Sequence, residues 1–240
     1  MLKHFLKGKK GFKLKIAVTL YSICLTTGVY LFSRKVAIKY PSPFTTPVFL
    51  STIIIVFVLI VSNISYKEYG TAKEILTYLL SPATIALAVP LYKHRRILFR
   101  YFLPALAGLF AGTLSTIVSA LLLAKLFQLT SITASISIKS ITIAFASEVA
   151  KIIGADRILV AAFVMITGMI GAMFGPWLLN KLHVTHPLAR GLSIGTVAHG
   201  IGTAEIAREG EMQGAVAGVA MGLAGILTSV LIPFLLPYLL

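Results

Sequence analysis

The chain has 240 residues, of which 58% are hydrophobic and only 12% charged, with a mean hydropathy of +0.94. A soluble domain of this size needs far more polar surface, so composition excludes one and points to a polytopic membrane protein. The net charge of +15 lies in short clusters between apolar stretches. That is the pattern of loops against anionic headgroups rather than of a nucleic-acid-binding face.

A spanning helix needs about 20 apolar residues. The basic tail 1–15 carries Lys3, Lys7, Lys9, Lys10, Lys13 and Lys15 and resembles the front of a signal peptide. No small-residue cleavage site closes it, so it leads into a retained first helix. Charge-free stretches predict spans at 16–33 and 44–62 (two lead helices), then at 75–92, 101–124, 158–180 and 212–240. The tail argues for an inside N-terminus, while Lys93, Arg95, Arg96 and Arg100 after the third span argue the other way. Cys24, alone, excludes an internal disulfide.

Two stretches do not fit plain spans. Residues 126–147 are apolar but studded with Ser and Thr, with Lys139 in the middle. Residues 191–204, GLSIGTVAHGIGTA, carry four glycines before Glu205. Broken or re-entrant helices are expected there, because irregular backbone at membrane depth survives only where protein or a water-filled cavity shields it.

A short phrase also repeats: Thr84-Ile85-Ala86-Leu87-Ala88 recurs as Thr142-Ile143-Ala144-Phe145-Ala146, preceded by Ser81 and Ser140 respectively. Each copy precedes a glycine-bearing span, so 75–124 and 132–180 form a candidate inverted repeat, followed by a C-terminal broken segment and final helix at 191–240. Pro82 and Pro90 break the first copy by removing backbone hydrogen bonds. Paired interrupted helices mark the midplane site of many transporters. Their exposed N–H groups suit an anion, and Ser81, Thr84, Ser140 and Thr142 add neutral donors.

Single residues carry two readings each. Lys139 either balances a substrate carboxylate or snorkels to the headgroups. Glu148 is either a proton- or cation-coupling group or the partner of Lys151, three positions on, and pairing is the preferred reading. His199 is either a proton relay or gate, or a packed histidine bonded to backbone. Helix breaks are expected at Gly195, Gly200 and Gly202. His183 and His186 receive no role. The run Gly214, Gly218, Gly222, Gly225 reads as close helix packing, within or between protomers. No metal-ligand spacing, nucleophile elbow or phosphate loop occurs, so neither catalytic nor metal-binding residues, nor a cofactor, are expected.

The segments PATIALAVPLY (82–92), the Ser-rich stretch around 140–154, TGMIGAMFGP (167–176), ARGLSIGTVAHGIGTA (189–204) and AMGLAGILTSVLIP (220–233) resemble, in that order, the LrgB/CidB family. That family was described as modulating murein hydrolase activity and autolysis with a holin-like LrgA/CidA partner. Its relatives include a plastid glycolate/glycerate transporter and bacterial pyruvate transporters. The resemblance implies an all-α polytopic protein of about seven or eight transmembrane segments with two discontinuous or re-entrant helices. It further implies a single domain, 1–240, in the bacterial cytoplasmic membrane that carries small monocarboxylates. It carries over Pro82, Thr84 and Pro90, then Lys139, Ser140 and Thr142, then His199, Gly202 and Thr203. Ile138 and Ala144 stand where the family pattern usually has proline, so a gentler or backbone-made second break is expected. Glu148 is also unusual for its position. The alternative function is a holin- or antiholin-like membrane component acting on autolysis. Membrane lipid, a second copy of the chain and an LrgA/CidA-type subunit are the expected partners, with no nucleic acid.

Overall fold

The computed structural model describes residues 2–79, 82, 85–86, 88–129 and 132–239. Among the described residues helices dominate, and four are long and apolar enough to cross a membrane. Contacts divide the chain into two compact units, Met1–Ile85 and Ala86–Leu240.

The first unit holds α1 (Leu2–Lys39), α2 (Pro47–Val61) and α3 (Tyr66–Tyr78), with α1 packed on both others. The apolar part of α1, Lys15–Lys39, qualifies as a span, whereas α2 is a shorter apolar helix. At 1.5 Å per residue α2 reaches only about 22 Å. Pro47 opens it at a position that needs no N–H. Ser65 and Glu68 form a reciprocal capping box that starts α3. The Ser65 hydroxyl, and then its backbone N–H, hold the Glu68 carboxyl below the usual carboxylate range. Thr26 and Tyr69 bond hydroxyl to hydroxyl at 2.9 Å and tie α3 to α1.

Within the stretch 75–92, expected to be broken at Pro82 and Pro90, residues 80–81, 83–84 and 87 lie outside the described residues. Helix α3 ends at Tyr78, and α4 (Ala88–Lys93) and α5 (Arg95–Arg100) are one-turn pieces. Pro90 stands in α4, where its ring lacks the N–H of an ordinary helical residue.

The second unit continues with α6 (Phe102–Leu126), α7 (Thr133–Ser137), α8 (Ile143–Ile153), α9 (Arg157–Lys181), α10 (Pro187–Ile206) and α11 (Glu211–Leu239). Asp156 caps α9 through the N–H groups of Ile158 and Leu159, and Gly154 supplies the left-handed turn (φ 70°) that ends α8.

Glycines set the packing of α10. A Cβ on Gly108 or Gly112 of α6 would stand 3.1 Å from Leu192 and 3.2 Å from Thr196, so α6 runs parallel to the start of α10. Gly168, Gly171 and Gly175 of α9 face His199, Ala198 and Ile194 in reverse order, so α9 runs antiparallel to it. Gly191 and Gly195 lie against the backbones of Gln213 and Ala217, which makes α11 parallel.

The helix α10 is not straight. Ala198 (φ −115°, ψ 15°) and His199 (φ 39°, ψ −139°) leave helical geometry inside it. Arg190 near its start bonds Glu209 beyond its end at 2.6 Å. A straight helix would hold residues 19 apart roughly 28 Å from each other. Gly202 likewise packs against Ile194 and Ala198. The chain therefore reverses at His199, making a hairpin whose open end lies beside the start of α6, where Tyr101 and His186 stack edge to face.

A second hairpin enters from the other end. After α6 the chain turns at 127–128, and Ile138 and Ile141 share one buried cluster with Ile117 and Leu121 of α6. The chain has thus come back along α6 before α8 returns it to the start of α9. The break spans 138–142, between α7 and α8.

Candidate functional site

The two reversals meet around the middle of α9. The Val164 side chain belongs to the cluster around α8, with Ala146, Val149 and Ala150. Its carbonyl lies 2.9 Å from His199 Nε2. Along α11, Gly200 of the first tip faces Met221 and Phe145 of the second faces Gly225, one helical turn further on. A helix pair and two hairpin tips thus converge on one neighbourhood inside the second unit.

At the first tip, His199 is buried and takes a positive φ that side chains with a Cβ rarely adopt. Because a carbonyl only accepts, Nε2 carries the hydrogen donated to Val164, leaving Nδ1 as the exchangeable position. Gly168 makes this possible: a Cβ there would stand 2.6 Å from the His199 ring carbon Cε1 and 2.7 Å from Nε2. Thr203 donates its hydroxyl to the His199 carbonyl at 2.7 Å, securing the reversal from the returning limb. The breaks expected at Gly195, Gly200 and Gly202 are corrected here, since the non-helical residues are Ala198 and His199. Gly195 and Gly202 instead admit close neighbours, because a Cβ at either would collide with Ala217 or Ala198. At Gly200 the nearest atom is Met221 Sδ at 3.6 Å, an ordinary contact.

At the second tip, Thr142 is the N-cap of α8 in extended geometry, and its side chain makes no capping bond. The first-turn N–H groups of α8 therefore face the break without a side-chain cap, at the positive end of the helix dipole. Ser140 is buried and Lys139 half-buried, with Lys139 Nζ donating to Ser140 Oγ at 3.2 Å. With Ile138 and Ala144 in place of prolines, the break is made by turns and not by ring clashes.

Glu148 is not part of this arrangement. It is exposed and bonds Lys151 at 2.7 Å, three positions along α8, which is the pairing the spacing suggested. Such exposed pairs contribute about 0.3–0.5 kcal/mol. Glu148→Gln is expected to move stability by no more than about 0.5 kcal/mol, measured by thermal unfolding in detergent. Ser81 and Thr84 lie outside the described residues. Pro82 is exposed and Pro90 half-buried. Within the second unit the breaks lie at 138–142 and 198–199.

Two features escaped the sequence. Thr113 Oγ1 on α6 is buried without a hydrogen-bond partner, beside Gly112 and its neighbour Thr196. Buried hydroxyls are normally satisfied, so this one stands out on α6. One threonine among several in a hydrophobic span gave no signal. The other is the Arg190–Glu209 clasp: Arg190 Nε and Nη2 donate to the two Glu209 oxygens at 2.6 Å each, and Nη1 donates to the Val184 carbonyl at 2.8 Å. The only hint was a charge at either end of a glycine-rich stretch too short to span. Gly214 and Gly225 pack inside the chain, against Ala207 and Phe145, and no atom lies within 4 Å of a Cβ built on Gly222. Among the described residues no group of three or more His, Cys, Asp or Glu could hold a metal ion.

Long apolar helices around two chain reversals are the architecture of a helical membrane protein. The family model for LrgB-like proteins matches residues 26–238, and the chain belongs to that family. It is 33% identical to the uncharacterized protein YwbG of Bacillus subtilis over 78% of this chain and 84% of that protein. It is 34% identical to YxaC of the same organism over 81% and 85%. The holin-like protein CidB of Staphylococcus aureus is 30% identical over 78% and 82%. No solved structure matches.

Proposed function

We propose that this chain is a multi-pass transporter of small monocarboxylates in the bacterial cytoplasmic membrane, not an enzyme, working by alternating access around the two hairpin tips. The observation that carries this reading is the convergence of two chain reversals, entering from opposite ends of α6, near Val164. In a membrane these hairpins are re-entrant, and each tip is reached from a different side. A small anion is the fitting ligand. The uncapped start of α8, the hydroxyls of Thr142, Ser140 and Thr113, and the Lys139 ammonium all offer donors, and only Lys139 brings a full charge. His199 has one ring nitrogen committed to Val164, which leaves the other to take up a proton with the substrate. Ser81 and Thr84 remain candidate donors from the first copy of the repeated phrase.

The test is uptake of radiolabelled pyruvate, lactate, glycolate and glycerate into proteoliposomes holding the chain alone, with and without a proton gradient. Thr142→Val removes a donor to a charged group, worth about 1.5–3 kcal/mol, so saturable uptake is expected to fall roughly 10- to 100-fold. His199→Asn keeps a residue that tolerates positive φ, and is expected to retain the fold while losing the response to the gradient. Unchanged uptake in Thr142→Val would remove the anion site.

The name of the Staphylococcus aureus relative, holin-like, favours a second reading: a membrane component acting on autolysis with an LrgA/CidA-type partner. Such a pore passes solutes of varied size without saturation, whereas a transporter saturates and is competed by related acids. Uptake only after an LrgA-type subunit is added would make the chain half of a two-part machine. A homodimer is the assembly proposed for the chain by itself.

A further inference from the structure

Away from the hairpin tips, at the end of the second unit where α6 and α11 begin, lies an open groove of about 670 Å³. Its walls come from α4, α5, α6, α10 and α11 and are almost wholly apolar, with Leu91, Leu106, Leu188, Leu192, Val219 and Leu223 among them. That volume is in the range of sites that enclose a whole organic ligand, roughly 300–1,000 Å³. None of the transport chemistry above uses it.

The rim is of the opposite character. Lys93, Arg95, Arg96 and Arg100 fall within eight positions, directly before the first residue of α6. Arg95 lines the groove itself, with its guanidinium 4.1 Å from the Tyr92 ring centroid and Nη1 donating to the Tyr92 carbonyl at 3.0 Å. Lys93 is shared with Glu211 at 3.6 Å, which fixes the cluster at the starting end of α11. The charge not countered there rests on Arg95, Arg96 and Arg100. Since α6 and α11 are both long enough to span, their starting ends lie at a bilayer interface. Tyr92, Phe99 and Phe102 line the groove at this level, where aromatic rings settle at the headgroups.

We propose that the groove holds one anionic phospholipid, its acyl chains between α6 and α11 and its phosphate on Arg95 and Arg96. Basic pockets between membrane helices recognise such headgroups in this way. A second copy of the chain fits less well, because a two-fold interface here would set the same arginines against each other. The inference rests on the membrane setting alone and stands apart from the transport reading.

The experiment uses the full chain, delipidated in detergent and titrated with phosphatidylglycerol or with phosphatidylcholine of identical chains. Bound lipid is counted by native mass spectrometry and the thermal midpoint is followed. One phosphatidylglycerol per chain is expected, with a raised midpoint and weaker retention of phosphatidylcholine. The double variant R95A/R96A is expected to lower phosphatidylglycerol affinity about 30-fold while leaving phosphatidylcholine unchanged. Ala105→Trp, which fills the groove, is expected to abolish retention of both. Equal retention of the two lipids, or indifference of phosphatidylglycerol to R95A/R96A, would overturn the proposal. So would protection by glycerol 3-phosphate equal to that by phosphatidylglycerol, since that is a free-phosphate site. A shift from dimer to monomer in Ala105→Trp would overturn it in favour of a second copy. If Ala105→Trp fails to fold, the arginine pair decides.

Discussion

Gly195→Ala is expected to destabilise the protein by about 3 kcal/mol, the upper end of what overpacking usually costs, and to abolish uptake. A Cβ at this position would stand 2.6 Å from Ala217 Cα and 2.8 Å from the Ala217 carbonyl carbon. Those atoms are backbone of a long packed helix, so no rotamer change relieves the contact. The descending limb of the hairpin would have to lift away from α11, carrying His199 off the Val164 carbonyl. Gly222→Ala on the same helix α11 is the control, for nothing lies within 4 Å of the added carbon. It is expected to be neutral or stabilising by about 0.5–1 kcal/mol, the helical advantage of alanine over glycine. Thermal midpoints of the two variants, read beside uptake, check both. Equal midpoints would mean that the close approach of α10 and α11 is not what holds the hairpin.

Arg190→Met is expected to cost about 1.5–3 kcal/mol, the usual range for losing hydrogen bonds to a charged group. The Arg190 side chain is only 8% exposed whereas Glu209 keeps 28%, so removing the guanidinium strips a solvent-reached carboxylate of its two charged hydrogen bonds. The same arginine binds the Val184 carbonyl, so the loop before α10 loosens as well. The discriminating measurement is a double-mutant cycle with Glu209→Met, read by reversible unfolding in detergent. The double variant is expected to be less damaged than the sum of the singles, with a coupling of about 1.5–3 kcal/mol. A coupling below roughly 0.5 kcal/mol would make the clasp a mere contact. Since it joins the two limbs at the open end of the hairpin, its loss is also expected to let those limbs separate.

The short glycine-rich stretch 191–204 and the hydroxyl-rich stretch around Lys139 were legible as interruptions. Length and polarity alone forbid a straight spanning helix there, and the structure breaks both. The place of the first break was not legible. Glycines drew attention, but the reversal falls on Ala198 and His199, and the glycines serve neighbouring helices that approach from outside their own segment. Glycine has two uses, turning a chain and letting another chain come close. Sequence spacing does not separate them.

Composition and span length determined, without help, that this is a helical membrane protein whose charges lie mostly at the ends of apolar stretches, and spacing favoured the pairing of Glu148 with Lys151. These properties depend on solvent preference and on neighbours three or four positions apart, which the chain order already contains. Only the tertiary structure decided that the two interruptions are hairpins from opposite ends, that they converge at Val164, that Thr113 is left unpaired, and that Arg190 clasps Glu209. Each is a contact between residues made adjacent by a chain reversal or by another helix. Such contacts are selected by close packing in three dimensions, where an ångström of approach determines whether a side chain fits.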